Sequence, residues 1–252
     1  MSDVYSATNK HLVISVNSPG SMPYLYFDAK NQKYAGLVVD FFVQLHEQGL
    51  FDTEYIDSNQ MRSEQFLLSG KADIYLANKA WLAQADKFIF SEPIIQHATY
   101  LYSLSPFDES FSTTNLNNKL ICTHQNFIYS GLTDSFAEKK IKRVDASDQQ
   151  TMATMFKNGR CDYMAMNNYN AAEIFSKQTY CDIKVYQSPQ PTSMVNLYFV
   201  MRPEFTEVKS VIDQYLHVFK NSGKAEKSLA SHATSPNFPL ETPCLTLVNP
   251  HP

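Results

Sequence analysis

Apolar and polar positions follow two different periods along the first eighty residues. Residues 11–16 form a short apolar run, which predicts a buried strand. Apolar side chains within 37–45 recur at helical spacing and predict an amphipathic helix. A strand over 53–56, a helix over 60–68 and a strand over 73–77 follow. This order of strands and helices is typical of a parallel α/β sheet.

One short block of sequence occurs twice. Each copy reads glycine, a basic residue, a small residue and aspartate (70–73 and 159–162), then four mainly apolar residues and an asparagine (Asn78 and Asn167). The pattern predicts a helix end, a strand that begins at the aspartate, and a turn. Two similar lobes would produce such a repeat, and a chance match is the alternative. We expect the aspartate of each block to be structural.

The helix before the second block carries its own boundary signals. Ser147 and Gln150 have the spacing of a capping box, and Asn158-Gly159 predicts a left-handed helix end. We therefore expect this helix to start at Ser147.

Two extended runs predict strands that cross between lobes, an arrangement suited to closure around a ligand. They are 99–103 and 196–201. We interpret the proline-rich tail, 235–252, as either an extended strap or a loose end. The predicted division is a discontinuous first lobe of 1–102 and 195–252, and a second lobe of 103–194.

Charge argues against a nucleic-acid partner, because the 252-residue chain has a net charge of −4. Its compact basic stretch, 139–143, is interpreted as a solvated helix end leading into a strand. No segment approaches the roughly 20 apolar residues of a membrane span. Residues 1–6 lack the features of a signal peptide, as expected of a cytoplasmic protein or of a mature chain given a new initiator Met.

The four cysteines show no close spacing, so a zinc ribbon is not predicted. In an oxidising compartment we expect a Cys161–Cys181 disulfide, because each residue precedes a predicted strand in the same half. Buried free thiols are the alternative.

Five motifs in order resemble those of bacterial extracellular solute-binding proteins of the polar amino-acid type (family 3), over residues 11–232. They are Leu12–Val16 with Pro23-Tyr24, Tyr34-Ala35-Gly36 with Asp40, Ser69-Gly70-Lys71-Ala72-Asp73, Phe90-Ser91-Glu92-Pro93, and Asn158-Gly159-Arg160-Cys161-Asp162. The resemblance implies a type II periplasmic-binding fold: two similar α/β lobes, two crossing strands and a ligand in the cleft. Most members of the family serve an ABC importer in the inner membrane.

In open α/β sheets, ligands bind beyond the carboxyl ends of the strands. The predicted strand ends are rich in aromatic and amide side chains, with two basic groups and no carboxylate. The candidate ligand-binding residues are Tyr24, Asn78, Lys79, Trp81, Thr123, His124, Asn126 and Asn167.

The sequence differs from the family that it resembles at the groups that hold an α-amino acid. The family's carboxylate-binding Arg has no counterpart in 80–86, and its ammonium-binding Asp is replaced by Asn167. Gln125-Asn126 stands near the place of a Gly-Thr pair. We therefore expect a neutral or acidic polar ligand, with Lys79 as a substitute point charge and with a ring that stacks on Tyr24 or Trp81.

Each candidate also has a structural interpretation. Tyr24 and Trp81 would pack in the core, the asparagines would cap helices, Lys79 would be solvated, and His124 would bond locally. For function we expect a periplasmic solute-binding protein whose signal peptide has been removed. We expect it to be a monomer and to deliver its solute to an ABC permease. A ligand-sensing protein is the alternative. A dehydratase-type enzyme is less favoured, since only His124 and Lys79 offer titratable groups. We expect no catalytic residue, metal or cofactor.

Overall fold

A computed structural model describes residues 10–18, 20–233 and 236–245. The chain divides into two compact units. Within the described residues, the first unit takes in 10–18, 20–96 and 195–233, and the second takes in 97–194 and 236–245. Each unit combines helices with three parallel strands, to which antiparallel strands are added.

The first unit begins with β1 (Lys10–Asn17), β2 (Gly20–Ser21), β3 (Leu25–Asp28), β4 (Lys33–Ala35), α1 (Leu37–Glu47), β5 (Phe51–Ser58), α2 (Gln60–Ser69), β6 (Ile74–Ala77) and β7 (Ile89–Phe90). Strand β8 (Ile95–Ser103) runs into the second unit, which continues with β9 (Lys119–His124), α3 (Thr133–Ala137), β10 (Ile141–Ala146), α4 (Gln149–Lys157), β11 (Tyr163–Asn167), α5 (Asn168–Phe175) and β12 (Lys184–Gln187). Strand β13 (Ser193–Met201) returns to the first unit, where α6 (Thr206–Asn221) and α7 (Lys224–His232) follow; β14 (Leu240–Glu241) belongs to the second.

The strands of the first unit are ordered β5-β1-β6-β13-β7. Strand β1 pairs in parallel with β5 and β6, and β13 runs antiparallel to β6. Leu12, Ile14 and Val16 are buried on one face of β1, as its period of two requires. The apolar residues predicted to share one face of α1 are all buried, so the helical spacing in 37–45 is confirmed; they are Leu37, Val38, Phe41, Phe42 and Leu45.

Strands β2, β3 and β4 form a small antiparallel sheet that the sequence did not predict. Helix α1 begins directly against its first turn, where the Val38 N–H donates to the Tyr24 carbonyl at 2.9 Å. Gly36 permits this approach: its φ is 115°, and an added Cβ would lie 2.6 Å from the Tyr24 oxygen.

The strands of the second unit are ordered β10-β9-β11-β8-β12-β14. The first three are parallel to one another, whereas β8 and β14 run antiparallel to β12. Helix α4 packs on them through Met152, Ala153 and Phe156. Gly159, with φ 68°, provides the left-handed helix end that the sequence predicted.

The predicted start of α4 is wrong. Asp148, not Ser147, is the N-cap, and its carboxylate accepts a hydrogen bond from the Thr151 N–H at 2.7 Å. Ser147 donates to Asp148 instead, and the Gln150 amide donates to the Tyr180 hydroxyl at 2.5 Å. Asp148 rather than Ser147 caps the helix because it is the extended residue directly before the first helical turn, where the helix dipole also stabilises a carboxylate.

The predicted disulfide is also wrong. Cys122 pairs with Cys161, and Cys181 pairs with Cys244; none of the four is free. Because β9 and β11 are parallel neighbours, Cys122 on β9 lies 5.6 Å (Cα–Cα) from Cys161 just before β11. Cys181 meets Cys244 because the tail returns to the second unit.

The unit boundaries differ from those drawn on the sequence. They fall between Gln96 and His97 and between Met194 and Val195, within the two crossing strands β8 and β13. Residues 236–245 belong to the second unit, whereas the sequence placed the tail in the first lobe. The pairing of β14 with β12 and the Cys181–Cys244 disulfide cause this difference.

Candidate ligand-binding site

Asn78 follows β6, at the edge of the first unit where the parallel strands end. Its side-chain N–H donates to the Asn196 carbonyl of β13 at 2.7 Å. Its side-chain oxygen accepts from the Ala80 N–H at 2.9 Å and caps the 3₁₀ turn Lys79–Trp81. Asn78 thus joins the crossing strand to the turn that carries Lys79, and its capping interpretation is confirmed.

Asn167 ends β11 in the same way in the second unit. Its side-chain N–H donates to the Ala98 carbonyl of β8 at 3.1 Å, and its oxygen accepts from the Tyr169 N–H at 3.0 Å to cap α5. The side chain is 4% exposed. Each asparagine therefore fixes a crossing strand to the end of a parallel strand, within its own unit.

Lys79 has an aromatic setting that the sequence did not predict. Its ammonium lies 4.7 Å from the centroid of the Phe90 ring and 5.5 Å from that of Tyr198. The two rings meet edge to face at 6.0 Å. Among the described residues, no carboxylate pairs with this ammonium within 4 Å. The cation is held over two rings, which leaves its charge available to an anion.

Tyr24 and Trp81 have largely structural surroundings. Tyr24 is 2% exposed and lies in the turn beneath the start of α1. Trp81 is half-buried against a cluster that includes Leu67 and Phe88, and its carbonyl accepts from the Gln60 side chain at 3.1 Å. The structural interpretation therefore describes Tyr24, whereas the half-buried Trp81 is also a candidate for the unit's surface.

Glu64 is a residue of this region that the sequence analysis missed. It is 7% exposed on α2, and its carboxylate accepts hydrogen bonds from the N–H groups of Ala83 at 3.0 Å and Gln84 at 2.6 Å. A buried carboxylate is stable only with such partners. Glu64 thus fixes the loop that follows Trp81. Its sequence signal was weak: one acid on the buried face of a helix.

The candidates at the end of β9 lie together in the second unit. Thr123 is fully buried, and its hydroxyl donates to Asp145 at 2.7 Å. The His124 ring lies 4.0 Å from the Phe127 ring, with Nδ1 2.8 Å from the Gln125 carbonyl. Asn126 is exposed and has φ 64°, a conformation that asparagine tolerates well. Local bonding of His124 is confirmed.

Arg143 holds this loop in place and corrects the interpretation of the basic stretch as merely solvated. Its guanidinium donates to the carbonyls of His124 at 3.1 Å and Phe127 at 3.2 Å, and to Asp145 at 2.7 Å. The stretch does lead from α3 into β10, as predicted, but Arg143 on β10 holds the loop that follows β9. Planar guanidinium suits this fork of acceptors.

His97 is a second missed residue, at the start of the second unit. Its Nδ1 lies 3.5 Å from the Asn167 side-chain nitrogen. Burial lowers the pKa of His97 from 6.5 to about 4, so the ring is neutral near neutral pH. It adds a polar, uncharged group beside the end of β11. The sequence did not indicate this position, because His97 lies in a strand of both polar and apolar residues.

An open groove of about 310 Å³ lies elsewhere in the first unit, among α1, α6 and α7. Lys224 and Gln44 are hydrogen-bonded beside it at 3.0 Å. None of the sequence-predicted ligand-binding residues lines it.

The protein groups at the strand ends are neutral polar side chains, aromatic rings and the Lys79 ammonium. Within residues 10–18, 20–233 and 236–245, no group of three or more His, Cys, Asp or Glu could hold a metal ion. In that same part of the chain, no helix is long and apolar enough to cross a bilayer.

Comparison with known proteins rests on structure. No protein-family model matches the sequence, and no curated protein matches it either. Among solved structures, a probable amino-acid ABC transporter extracellular-binding protein, YtmK of Bacillus subtilis, superposes with a TM-score of 0.73 at 15% identity, over 89% of this chain and 97% of that one. The fold is that of the two-lobed type II periplasmic binding proteins. The predicted fold class is confirmed.

Two further similar structures have different roles. A histidine kinase sensor domain gives a TM-score of 0.71 at 16% identity, over 89% of this chain and 96% of that chain. An ancestral amino-acid-binding protein, a precursor of cyclohexadienyl dehydratase, gives a TM-score of 0.69 at 17% identity, over 89% of this chain and 96% of that chain. At these identities the likeness establishes the fold, and function must be argued from the residues.

Proposed function

We propose that the protein is an extracytoplasmic solute-binding protein that captures a small polar solute between its two lobes. The observation that carries the proposal is the duplicated strand end: Asn78 and Asn167 each fix a crossing strand beside a turn of polar and aromatic residues. Ligands in open α/β folds bind at such strand ends. The fold supports this role because many of its members are binding proteins.

The solute is neutral or acidic rather than a free α-amino acid. The loop 80–86 contains no arginine to bind an α-carboxylate, and Asn167 offers an amide whose two ends are already hydrogen-bonded. An ammonium at that place would lack a carboxylate partner, and burying an unpaired charge costs several kcal/mol. Lys79 supplies one positive charge, so an acid is accepted more readily than a zwitterion.

Aromatic rings favour a solute with an apolar or cyclic portion. Phe90 and Tyr198 beside Lys79, together with Trp81 on the neighbouring turn, provide faces on which such a portion stacks. We propose these three rings as the apolar part of the site, with Tyr24, which is buried beneath α1, as support for the neighbouring turn. His124 and Asn126 are the corresponding proposals in the second unit, and the buried Thr123 supports them through its hydrogen bond to Asp145.

An oxidising compartment agrees with the two disulfides, because such bonds persist outside the cytoplasm. We therefore propose a periplasmic, monomeric protein that delivers its solute to an ABC permease of the inner membrane. The leading observation for this partner is the similarity to an extracellular-binding protein of an ABC transporter.

A ligand-sensing protein is the second candidate, and the similarity to a histidine kinase sensor domain favours it. Crosslinking and affinity capture from the native membrane separate the two: recovery of a permease supports transport, and recovery of a kinase or chemoreceptor supports sensing. Catalysis is a weaker proposal, because the Nδ1 of His124 is engaged by its own loop and Lys79 is held over rings.

A thermal-shift screen tests binding itself. Amino acids, organic acids, sugars and aromatic metabolites are added singly, and a ligand of the folded state raises the melting temperature as its concentration rises. A concentration-dependent rise with a neutral or acidic solute supports the proposal. Absence of any rise across all four classes argues against a solute-binding role.

A further inference from the structure

The segment 236–245 is fastened to the second unit at several points between Phe238 and Leu245. The Phe238 ring packs 5.1 Å from the Tyr102 ring, and Leu240 packs on the same core. Strand β14 pairs with β12, and the Thr242 hydroxyl donates to the Phe175 carbonyl at 2.9 Å. We call this segment the strap.

The far end of the strap has the firmest attachment. Cys244 is bonded to Cys181. The Gln178 side chain donates to the Pro243 carbonyl at 3.1 Å and accepts from the Leu245 N–H at 3.0 Å, on either side of that cysteine. β14 has only two residues, so the disulfide and the Gln178 amide are what prevent the strap from peeling away from its end.

The chain just before the strap is fixed equally well, but to the first unit. His232 is the last residue of α7, and its Nε2 lies 3.0 Å from the Asp40 carboxylate on α1. Its Nδ1 lies 3.1 Å from the Tyr26 hydroxyl, and Ser228 donates to the same carboxylate at 2.6 Å. Helix α7 therefore ends at an anchored residue of the first unit.

Little chain separates the two anchors. His232 and Phe238 are six Cα–Cα steps apart, so their Cα atoms lie within about 22 Å of each other whatever the chain does between them. This connection is added to those made by β8 and β13, which also pass from one unit to the other. A short link between two fixed points limits how far the units can separate there.

We propose that the strap is a third tether between the two lobes, fastened by the Cys181–Cys244 disulfide, and that it limits the range of open conformations. The consequence for affinity rests on the proposed function, in which the lobes close on a solute. A narrower open ensemble contains a larger fraction of binding-competent molecules, and apparent affinity scales with that fraction. Release of the strap therefore widens the open ensemble and weakens binding.

The experiment measures the distance between the units without ligand. Spectroscopic labels are placed through non-canonical amino acids at Met61 and Ile128, exposed residues of the first and second units. Pulsed electron–electron double resonance then gives the distribution of distances between the two labels. The test variants are Cys181→Ser/Cys244→Ser and a chain ending at Ala233. The matched control, Cys122→Ser/Cys161→Ser, removes a disulfide within the second unit and leaves the strap fastened.

We expect both test variants to broaden the distribution toward longer distances and the control to retain the wild-type distribution. A truncated chain with the wild-type distribution overturns the tether. The role of the disulfide is overturned if the truncated chain has a broader distribution and the Cys181→Ser/Cys244→Ser variant keeps the wild-type one. It is also overturned if the control variant has a distribution as broad as that of the test variants. If the truncated chain fails to fold, the two serine variants decide.

Binding is measured separately, by titrating the variants with whichever solute raises the melting temperature of the wild type. The expected loss of affinity in the test variants is about threefold or more, and the control stays within about twofold of wild type. The distance measurement needs no ligand, so failure of the tether and failure of the solute-binding role are distinguishable.

Discussion

Asp73 and Asp162 occupy equivalent places in the two units. Asp73 accepts a hydrogen bond from the Val13 N–H at 2.9 Å, and Asp162 accepts one from the Leu120 N–H at 2.8 Å. In both cases the aspartate N–H donates back to the carbonyl of the same partner. The repeated sequence block is therefore a repeated set of contacts that joins one parallel strand to the start of the next.

Replacing the two aspartates should have unequal effects on stability. Asp73 also pairs with Arg202 at 3.3 Å, with both side chains less than one fifth exposed. Asp73→Ala leaves the Val13 N–H without its partner and removes the buried carboxylate from Arg202, whose other carboxylate partner, Glu204, is exposed; we expect the free energy of unfolding to fall by about 3 kcal/mol. Asp162→Ala should cost about 1 kcal/mol, since its Lys119 partner is exposed. Urea denaturation of both variants checks this, and equal losses would contradict it.

Asp148 links the stability of α4 to pH. The hydrogen bond from the Thr151 N–H, with the Thr151 hydroxyl, lowers the pKa of Asp148 below its usual 3.8. A lowered folded-state pKa stabilises the protein above the unfolded value, and this contribution is lost as the pH falls through the folded value. Asp148→Ala should cost about 1 kcal/mol near neutral pH.

Asp148→Asn is the matched control, because asparagine keeps the capping oxygen without the charge. It should be nearly as stable as the wild type near neutral pH and should lose less stability below about pH 4. Urea denaturation at both pH values gives the comparison. An asparagine variant with the full acid sensitivity of the wild type would rule out this role for the charge.

His97 predicts a second pH effect with a different window. Its pKa is 6.5 when unfolded and about 4 when folded, because burial disfavours the charged ring. Between these values the unfolded state binds more protons, so stability falls as the pH drops from 6.5 to about 4 and changes no further through this group. His97→Gln should flatten the stability curve in that window. An unchanged slope in denaturation from about pH 7 to about pH 4 would count against it.

Lys79 should decide the response to charge in the solute. For an anionic solute, Lys79→Met should weaken binding roughly tenfold or more, since a charge-assisted hydrogen bond is worth about 1.5–3 kcal/mol. A neutral solute should lose less than about threefold. Lys71→Met is the control, because Lys71 also lies over a ring, that of Phe66 at 4.1 Å. Equal losses in the two variants, measured by calorimetric titration, would remove Lys79 from the site.

Much of the fold could be predicted because the core of each unit is built from local periodicity. The helix over 37–45 and the strand over 73–77 carry their burial pattern in the sequence itself. The repeated block also indicated the duplication, since Asp73 and Asp162 bind equivalent strands, through Val13 and Leu120, in two similar sheets.

The features that were missed depend on contacts between distant parts of the chain. The disulfides follow from which strands become neighbours, and Cys244 reaches Cys181 only because the tail folds back on the second unit. Glu64 and Arg143 act through backbone groups of loops, which leave no mark on spacing or charge patterns. The candidate site therefore stays a prediction, and the groups that hold its loops in place were not predicted from the sequence.

Calorimetric titration of the purified protein with each of the common α-amino acids tests the central claim most directly, that the site lacks the paired charges needed to hold a zwitterion. The account predicts no tight binding by any of them, alongside measurable binding of a neutral or acidic solute found by thermal shift. Tight, specific binding of one ordinary amino acid would contradict it.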